Sequence, residues 1–481
     1  VGDRIRATRT PTEFSATDKV TQITSISSLQ VCATNQPIPT AATLTLPVPN
    51  VPNGNLNSAN VVINEYYEAF EGMLVTFPTK LKVSEYFELE RFGQLVLSQG
   101  GRIPTFTNVS NPSTIGYVNH QIKLAKRQIT LDDNNDIQNF YIGNLNPLPY
   151  PTGGLSIANR FRGGDTIANL TGVLQFRFGA WRVRPVEELV DYVFQSTNPR
   201  KPSAPNVGGT LRVTGFNVLN YFTTIDTTAS SNSGPCGPDG IQDCRGADSA
   251  SELTRQTAKA AAALCGMNVD IVGLMEIENN ASASLNSLIS ATNAIAGCGP
   301  YNFINTGTIG GDAIKVGLLY KTTTVSPVGG FQILDSADDL RFVDTRNRPV
   351  LAQTFSQLST GEKLTVAVNH LKSKGDSGLG GTSGPCTVNG PSHSPDCDQG
   401  DGQGFWNPTR TEAAKALVDW LNSDPTGSGD LDFLIIGDLN AYAKEDPIKA
   451  VENGPDDIAN TLDDYTNLIK TSGGHSAHSY V

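Results

Sequence analysis

The sequence has no run of about 18 apolar residues, so no membrane-spanning helix is expected. It also lacks an excess of basic charge: 35 Lys and Arg stand against 47 Asp and Glu, a net charge of −12. A protein that holds DNA by charge alone is usually basic. This acidity therefore counts against a stoichiometric DNA-binding protein. It counts less against an enzyme that meets phosphate through a bound cation. A charged-then-apolar leader is missing as well, and the chain opens at Val1, which reads as a mature or trimmed start.

What is present fits several domains. At 481 residues, two or three are expected. Hydrophobic residues make up 38%, enough for real cores, and 47 Gly with 28 Pro mean many turns and β-rich structure. Six of the seven cysteines fall into local pairs: Cys236 with Cys244, Cys265 with Cys298, and Cys386 with Cys397. Spacing alone does not fix connectivity. The first and third pairs lie in Gly/Pro/Asp-rich loops, where a disulfide would restrain a flexible segment and suit an oxidising compartment. A cytosolic protein with scattered thiols is the rival reading. Cys32 is left over, either free or paired upstream of Val1.

Residues 1–197 read as an almost wholly β, small-barrel module with no helical pattern. "LKVSEYFELERFGQLVLS" has the pattern of a hairpin turning near Gly93. Residues 198–209, in a stretch rich in Pro, Ser, Asn and Gly, read as a linker. From residue 210 the character changes. "SASELTRQTAKAAAALCG" is expected to be a helix opened by a Ser249–Glu252 capping box. "NPTRTEAAKALVDWLN" is expected to be another, with Pro408 near its start and Ala413, Leu417, Trp420 and Leu421 along one face. Strands alternate with these helices, so residues 210–481 read as an α/β domain.

Four strands of that domain are expected to end on polar residues of catalytic type: Asn217, Glu276, His370, and the pair Asp438 and Asn440. One such ending means little, because solvated strand ends often carry Asp or Asn. Four together point to one cleft at an edge of the sheets. Phosphodiester hydrolysis suits these types. A hard cation wants oxygen ligands, which Glu276 and Asn217 could supply. Asp438 could deprotonate an attacking water, Asn440 could hold it, and His370 could bond a non-bridging oxygen.

These motifs, "FNVLNYF", "GLMEIEN", "VNHLKSKG" and "GDLNAY", resemble the series of the endonuclease/exonuclease/phosphatase superfamily, to which DNase I belongs. "GPDGIQDCRGADSASELTRQTAKAAAAL" and "GDAIKVGLLY" are similar to the secreted bacterial extracellular nucleases of the ExeM type. "YYEAFEGMLVTFPTKLKVSEYFELERFGQLVLS" resembles the oligonucleotide/oligosaccharide-binding (OB)-like β module of that group. The resemblance implies a four-layer α/β sandwich, metal binding by Glu276, and metal or phosphate contact by Asn217. It implies Asp438 and Asn440 beside the nucleophile, with His370 as an active-site histidine. Mg²⁺ or Mn²⁺ would be the cofactor, with Ca²⁺ as a structural ion. DNA, with RNA as a second candidate, would be the substrate. The family continues with two further Asp-bearing strands, whereas this chain stops at "GGHSAHSYV", where His475 and His478 do not match in context. Val481 is therefore expected not to be the natural terminus.

Other residues are candidates with bland alternatives. Arg410 could contact phosphate or lie on a solvated helix start. Asp312 could face the cleft. Asp239, Asp243 and Asp248 could form a calcium loop or a disulfide-braced acidic loop. "LDDNND", residues 131–136, reads as a solvated turn. Two other function classes stand beside the nuclease. One is a phosphodiesterase or phosphatase on phospholipids or small phosphoesters. The other is a catalytically incomplete surface or matrix protein that binds through the β module.

Overall fold

The computed structural model describes residues 2–14, 20–141, 146–156, 158–186, 190–199, 201, 203, 206–227, 233–375 and 395–473. Cys386, His475 and His478 lie outside the described residues, and so does the pairing expected of Cys386. The chain divides into two compact units, Val1–Pro104 with Ile115–Lys201, and Thr105–Thr114 with Pro202–Val481.

The N-terminal unit is built on one eight-stranded sheet. Its strand order is Thr166–Ile167, Leu81–Glu85, Gln94–Gln99, Gln128–Asp132, Ala180–Arg184, Leu170–Arg177, Leu74–Phe77, Ala42–Thr43. The expected hairpin is there: Leu81 pairs with Gln99, and Gly93 takes the left-handed backbone between the strands. Alternation supplies the core, with Leu95 and Leu97 buried and Val96 only half-buried. The expected small barrel is not the pairing observed. Among the described residues the sheet is a linear series whose outermost strands do not pair with each other, and two of its pairings are parallel.

The absence of helices is also corrected. Leu56–Glu68 and Thr114–Ala125 are helical. The first is capped by Asn55, whose side chain accepts from the Ser58 N–H, and it buries Ala59, Ile63 and Tyr67 at a four-residue interval. In "LDDNND" the expected solvated turn holds for Asn134 and Asp136, which are exposed, but not for Asp132. Asp132 is 2% exposed, because Arg182 and Arg184 on the neighbouring strand both turn their guanidinium groups onto its carboxylate.

The C-terminal unit has two four-stranded sheets. The first runs Val213–Tyr221, Ile271–Glu278, Ile314–Lys321, Tyr301–Phe303. The second runs Val325–Leu334, Arg348–Gln357, Lys363–His370, Phe433–Asp438. Three apolar clusters define the layers. Val272, Leu274, Leu285 and Leu288 join the first sheet to the helices Ala250–Met267 and Ala283–Asn293. Ile271, Met275, Val316, Leu351, Val366 and Val368 fill the space between the sheets. Ala352, Ala367, Leu417 and Leu421 join the second sheet to the helix Asn407–Asn422. The order is therefore helix, sheet, sheet, helix. Each fully buried leucine contributes about 1.5–3 kcal/mol of transfer free energy. The sheets approach closely at Gly273, where a Cβ would meet Ile436 Cδ1 at 2.6 Å.

The expected caps form. Ser249 accepts from the Glu252 N–H, while the Glu252 carboxylate reaches back to the Asp248 N–H. Pro408 stands in the first turn of Asn407–Asn422. Cys236–Cys244 and Cys265–Cys298 are disulfides, and Cys32 is free and exposed. The segment Thr105–Thr114 completes this unit. Thr107 is fully buried, donates its hydroxyl to Glu445 Oε1 at 2.5 Å, and accepts from the Lys444 N–H at 2.8 Å. No described helix is long and apolar enough to cross a membrane.

Candidate active site

Strand parity places the candidate residues. On Val213–Tyr221, Val213 faces the layer between the sheets and Phe216 faces the helices, so Asn217 faces the inter-sheet side. On Lys363–His370, Val366 and Val368 face that layer, and His370 continues their parity. On Phe433–Asp438, Ile436 does the same and Asp438 follows. His370 and Asp438 are direct partners in the parallel pairing of their strands.

Glu276 breaks the parity rule. Ile271 and Met275 face the inter-sheet layer, and Val272 and Leu274 face the helices. Ile277 should join the odd set but packs with the helices. The pairing register shifts between Leu274 and Ile277, and Glu276 itself has φ +62°. A bulge with one left-handed residue inserts the extra step and re-aims the carboxylate. A second shift follows Asn217, where Leu219 and Asn220 have φ of +53° and +52°. Asn217 and Glu276 thus sit at irregularities within strands, not at strand ends as the sequence pattern implied. His370 and Asp438 do end their strands.

The result is one constellation. Asn217 Nδ2 donates to Glu276 Oε1 at 2.9 Å and lies 3.5 Å from Asp438 Oδ2. Asn217 Oδ1 accepts from the Leu219 N–H at 2.9 Å, which turns the amide nitrogen toward the carboxylates. As placed, Asn217 turns its amide nitrogen toward the two acids and its oxygen toward the Leu219 N–H. Glu276 Oε2 accepts from the Asn220 N–H at 3.1 Å. His370 Nε2 lies 3.9 Å from Glu276 Oε1. Asp438 Oδ1 accepts from the Asn440 N–H at 2.9 Å, and Asn440 Nδ2 donates to the Leu371 carbonyl at 2.9 Å. Asn440 therefore fixes the turn that carries Asp438 and ties it to the strand exit beside His370. Gly437 makes the approach feasible: with φ +126°, a Cβ there would lie 2.0 Å from the Asn369 carbonyl oxygen.

The electrostatics are uneven. Among the described residues no lysine or arginine forms an ion pair with Glu276 or Asp438. Two converging carboxylates without a cationic partner fit a hard divalent cation such as Mg²⁺ or Mn²⁺. His370 is 3% exposed and its Nδ1 has no hydrogen-bond partner. Burial first, then the charge of Arg348, pushes its pKa down to about 4, against the opposing pull of Asp438, Glu276 and Asp312. The imidazole is neutral at neutral pH.

The remaining candidates are engaged with partners of their own. Asp312 forms ion pairs with Arg348 at 2.6 Å and Arg245 at 2.9 Å. Burial works to raise its pKa, and the two guanidinium groups outweigh burial and hold it below the usual carboxylate value. Arg410 is fully buried and donates to the carbonyls of Lys372, Phe405 and Gln403. It braces the loop after His370 and does not present a free guanidinium to phosphate. Asp239, Asp243 and Asp248 are not gathered into a cation site: Asp239 accepts from the Ile241 N–H and Gln242 Nε2 within its own disulfide-braced loop. Three other carboxylates, Asp456, Asp463 and Asp464, do come within 4.8 Å of one another, linked by the Thr461 hydroxyl.

Sequence reasoning missed Arg348, the strand partner of His370. The signal was the charged start of "RPVLAQTF", but only the pairing register shows what it faces. It also passed over Glu278, two residues beyond Glu276. That carboxylate is 1% exposed and accepts from Thr223, Thr224, Asn280 and Ser284, so its capacity is spent on structure.

A model of the Endonuclease/Exonuclease/phosphatase family matches residues 216–477. A comparison with curated proteins finds no match. Among solved structures, the human Nocturnin catalytic domain with bound sulfate anion is 14% identical, over 56% of this chain and 77% of that chain, at a TM-score of 0.32. An endonuclease/exonuclease/phosphatase from Bacteroides vulgatus is 14% identical over 51% and 71%, at 0.29. The mannosyl-6-phosphatase of Bacteroides thetaiotaomicron is 15% identical over 50% and 69%, at 0.28.

Proposed function

Because the chain belongs to the endonuclease/exonuclease/phosphatase family, we propose that it is a secreted, metal-dependent nuclease. Its substrate is extracellular DNA, with RNA as a second substrate, cleaved with little sequence preference. The observation that carries this reading is the pair Glu276 and Asp438, which share the Asn217 amide and have no lysine or arginine partner among the described residues. The two disulfides support an oxidising compartment.

Glu276 would hold the divalent cation beside Asp438, and the cation's charge would offset that of the phosphate. The chain's own groups do the rest. Asp438, oriented by the Asn440 N–H, takes a proton from the attacking water. His370, neutral and shielded, donates a hydrogen bond to a non-bridging oxygen as charge builds there. Asn217 fixes the spacing of the acids.

The test is to offer plasmid, linear DNA, RNA, a phospholipid and a small phosphomonoester. Each is run with Mg²⁺, with Mg²⁺ plus Ca²⁺, and with chelator. Metal-dependent loss of plasmid and linear DNA is expected. Turnover of only the lipid or the monoester would replace the nuclease reading with a phosphodiesterase or phosphatase. No turnover of any substrate would favour a binding protein.

A further inference from the structure

Arg348 pairs across the sheet with His370, and Arg346, Lys372, Lys374 and Arg410 lie on the segments around them; three of these five cations are already committed. Arg348 pairs with Asp312, Lys374 pairs with Glu445, and Arg410 is buried against carbonyls. The other two, Arg346 and Lys372, form no ion pair among the described residues. Among the described residues the Lys372 ammonium bonds the neighbouring Ser373 hydroxyl, at 3.0 Å. Both sit on one aromatic ring: Arg346 Cζ is 4.7 Å and Lys372 Nζ 5.7 Å from the centroid of Trp406.

Trp406 is held by burial and by its backbone: it is 4% exposed, its backbone N–H donates to the Asp396 carbonyl at 2.7 Å, its carbonyl accepts from the Arg410 backbone N–H, and its indole N–H has no partner among the described residues. The two segments that carry these cations adjoin the site. Arg348 pairs across the sheet with His370, and the Lys372 N–H donates to Asn347 Oδ1 at 2.9 Å. Placing two like charges on one ring is unfavourable unless an anion is shared between them. In a chain of net charge −12, such a point is also where an anionic substrate would be drawn in.

We propose that Arg346 and Lys372, seated on Trp406, form a second phosphate-binding point that takes a substrate phosphate next to the one being cleaved. This rests on the nuclease reading for its role in turnover, but not for its ability to bind phosphate. Arginine supplies a planar fork matched to two phosphate oxygens, and lysine adds a point charge. A substrate with several phosphates gains from this contact, and one with a single phosphodiester does not.

The test compares wild type with R346Q/K372Q and with the charge-keeping exchange R346K/K372R. Two substrates are used: a labelled oligodeoxythymidylate of about twelve residues and bis(para-nitrophenyl) phosphate. The double Gln variant should raise KM for the oligonucleotide about tenfold. The ratio of the two kcat/KM values should fall by a similar factor, and the exchange variant should restore most of it. Equal losses on both substrates would assign the pair a merely structural role and overturn the proposal. A second readout does not need turnover. In chelator, binding of the same oligonucleotide should weaken in the double Gln variant, and its plot of log affinity against log salt should be shallower by about 0.7. An unchanged slope would overturn the proposal whatever the enzyme does. A wild type that binds with this slope difference yet cleaves nothing would sink the nuclease reading and leave the phosphate point standing.

Discussion

In the N-terminal unit Asp132 is buried, and Arg182 and Arg184 both place their guanidinium groups on it, with the Asn134 N–H completing its partners at 2.9 Å. In the C-terminal unit Glu276 and Asp438 converge on one amide, and their other described partners are backbone N–H groups. Asp132 is taken out of water in the first arrangement, while Glu276 and Asp438 are half-buried in the second. The first balances its charge within the fold, so it is complete as it stands. The second leaves negative charge to be balanced from outside. A buried acid with its cations marks architecture, and converging half-buried acids without them mark a place where something binds.

Breaking the balanced region should have the largest effect on folding. Asp132→Asn would leave two buried guanidinium groups with half their partner and should cost about 3–5 kcal/mol. Hydrogen exchange separates the units: protection should fall in Gln94–Gln99 and Gln128–Asp132 and persist in Ile271–Glu278. Protection unchanged in both units would mean that the arginines hold the region without Asp132.

The unbalanced region should respond in the opposite sense. Glu276→Gln should lower kcat/KM by ~10²–10³-fold. In chelator it should leave the thermal midpoint unchanged or raise it, because one of two facing negative charges is gone. A marked fall in that midpoint would show that Glu276 is structural after all.

His370 sharpens the comparison through pH. Its pKa is pushed down to about 4 from an ordinary 6.5, so between these values the unfolded chain binds the proton and the folded chain does not. Stability must therefore fall as pH drops from 6.5 toward 4, by up to about 3 kcal/mol in metal-free protein. Urea midpoints of wild type and His370→Asn across that window check it. The gap between them should shift with pH below 6.5, and a constant gap would refute it. At the small end, Asp456 belongs to an acidic group but is exposed. Asp456→Asn should change stability by less than about 0.5 kcal/mol.

Much of the C-terminal unit was legible. Ser249, Pro408 and the apolar spacing of Ala413, Leu417 and Leu421 announce their helices, because caps and periodicity are local chemistry. The polar residues closing two strands were legible for the same reason. The bulges at Asn217 and Glu276 were not. A left-handed glutamate is held by tertiary pairing, and nothing in "GLMEIEN" encodes it. Arg410 looked like a surface cation because a helix start is usually solvated, yet the loop after His370 wraps it completely. In the N-terminal unit, "LNSANVVINEYYE" is rich in β-branched and Asn residues, and burial of one face overrides that weak propensity. Asp132 misled for a similar reason: its neutralising arginines lie some fifty positions downstream in the chain.

The short segment Thr105–Thr114 has a consequence for modularity. The C-terminal unit is not one continuous stretch of sequence: ten residues made long before the rest supply the hydroxyl that meets the fully buried Glu445. A gene fragment opening at Pro202 would encode both sheets and every residue of the candidate site. It would still strip Glu445 of that donor and uncover the loop carrying Tyr442, Lys444 and Glu445. The two units are thus interleaved in the order of synthesis. The ribosome delivers a piece of the second unit while the first is still half made, and that piece must wait for some three hundred residues before its partner exists.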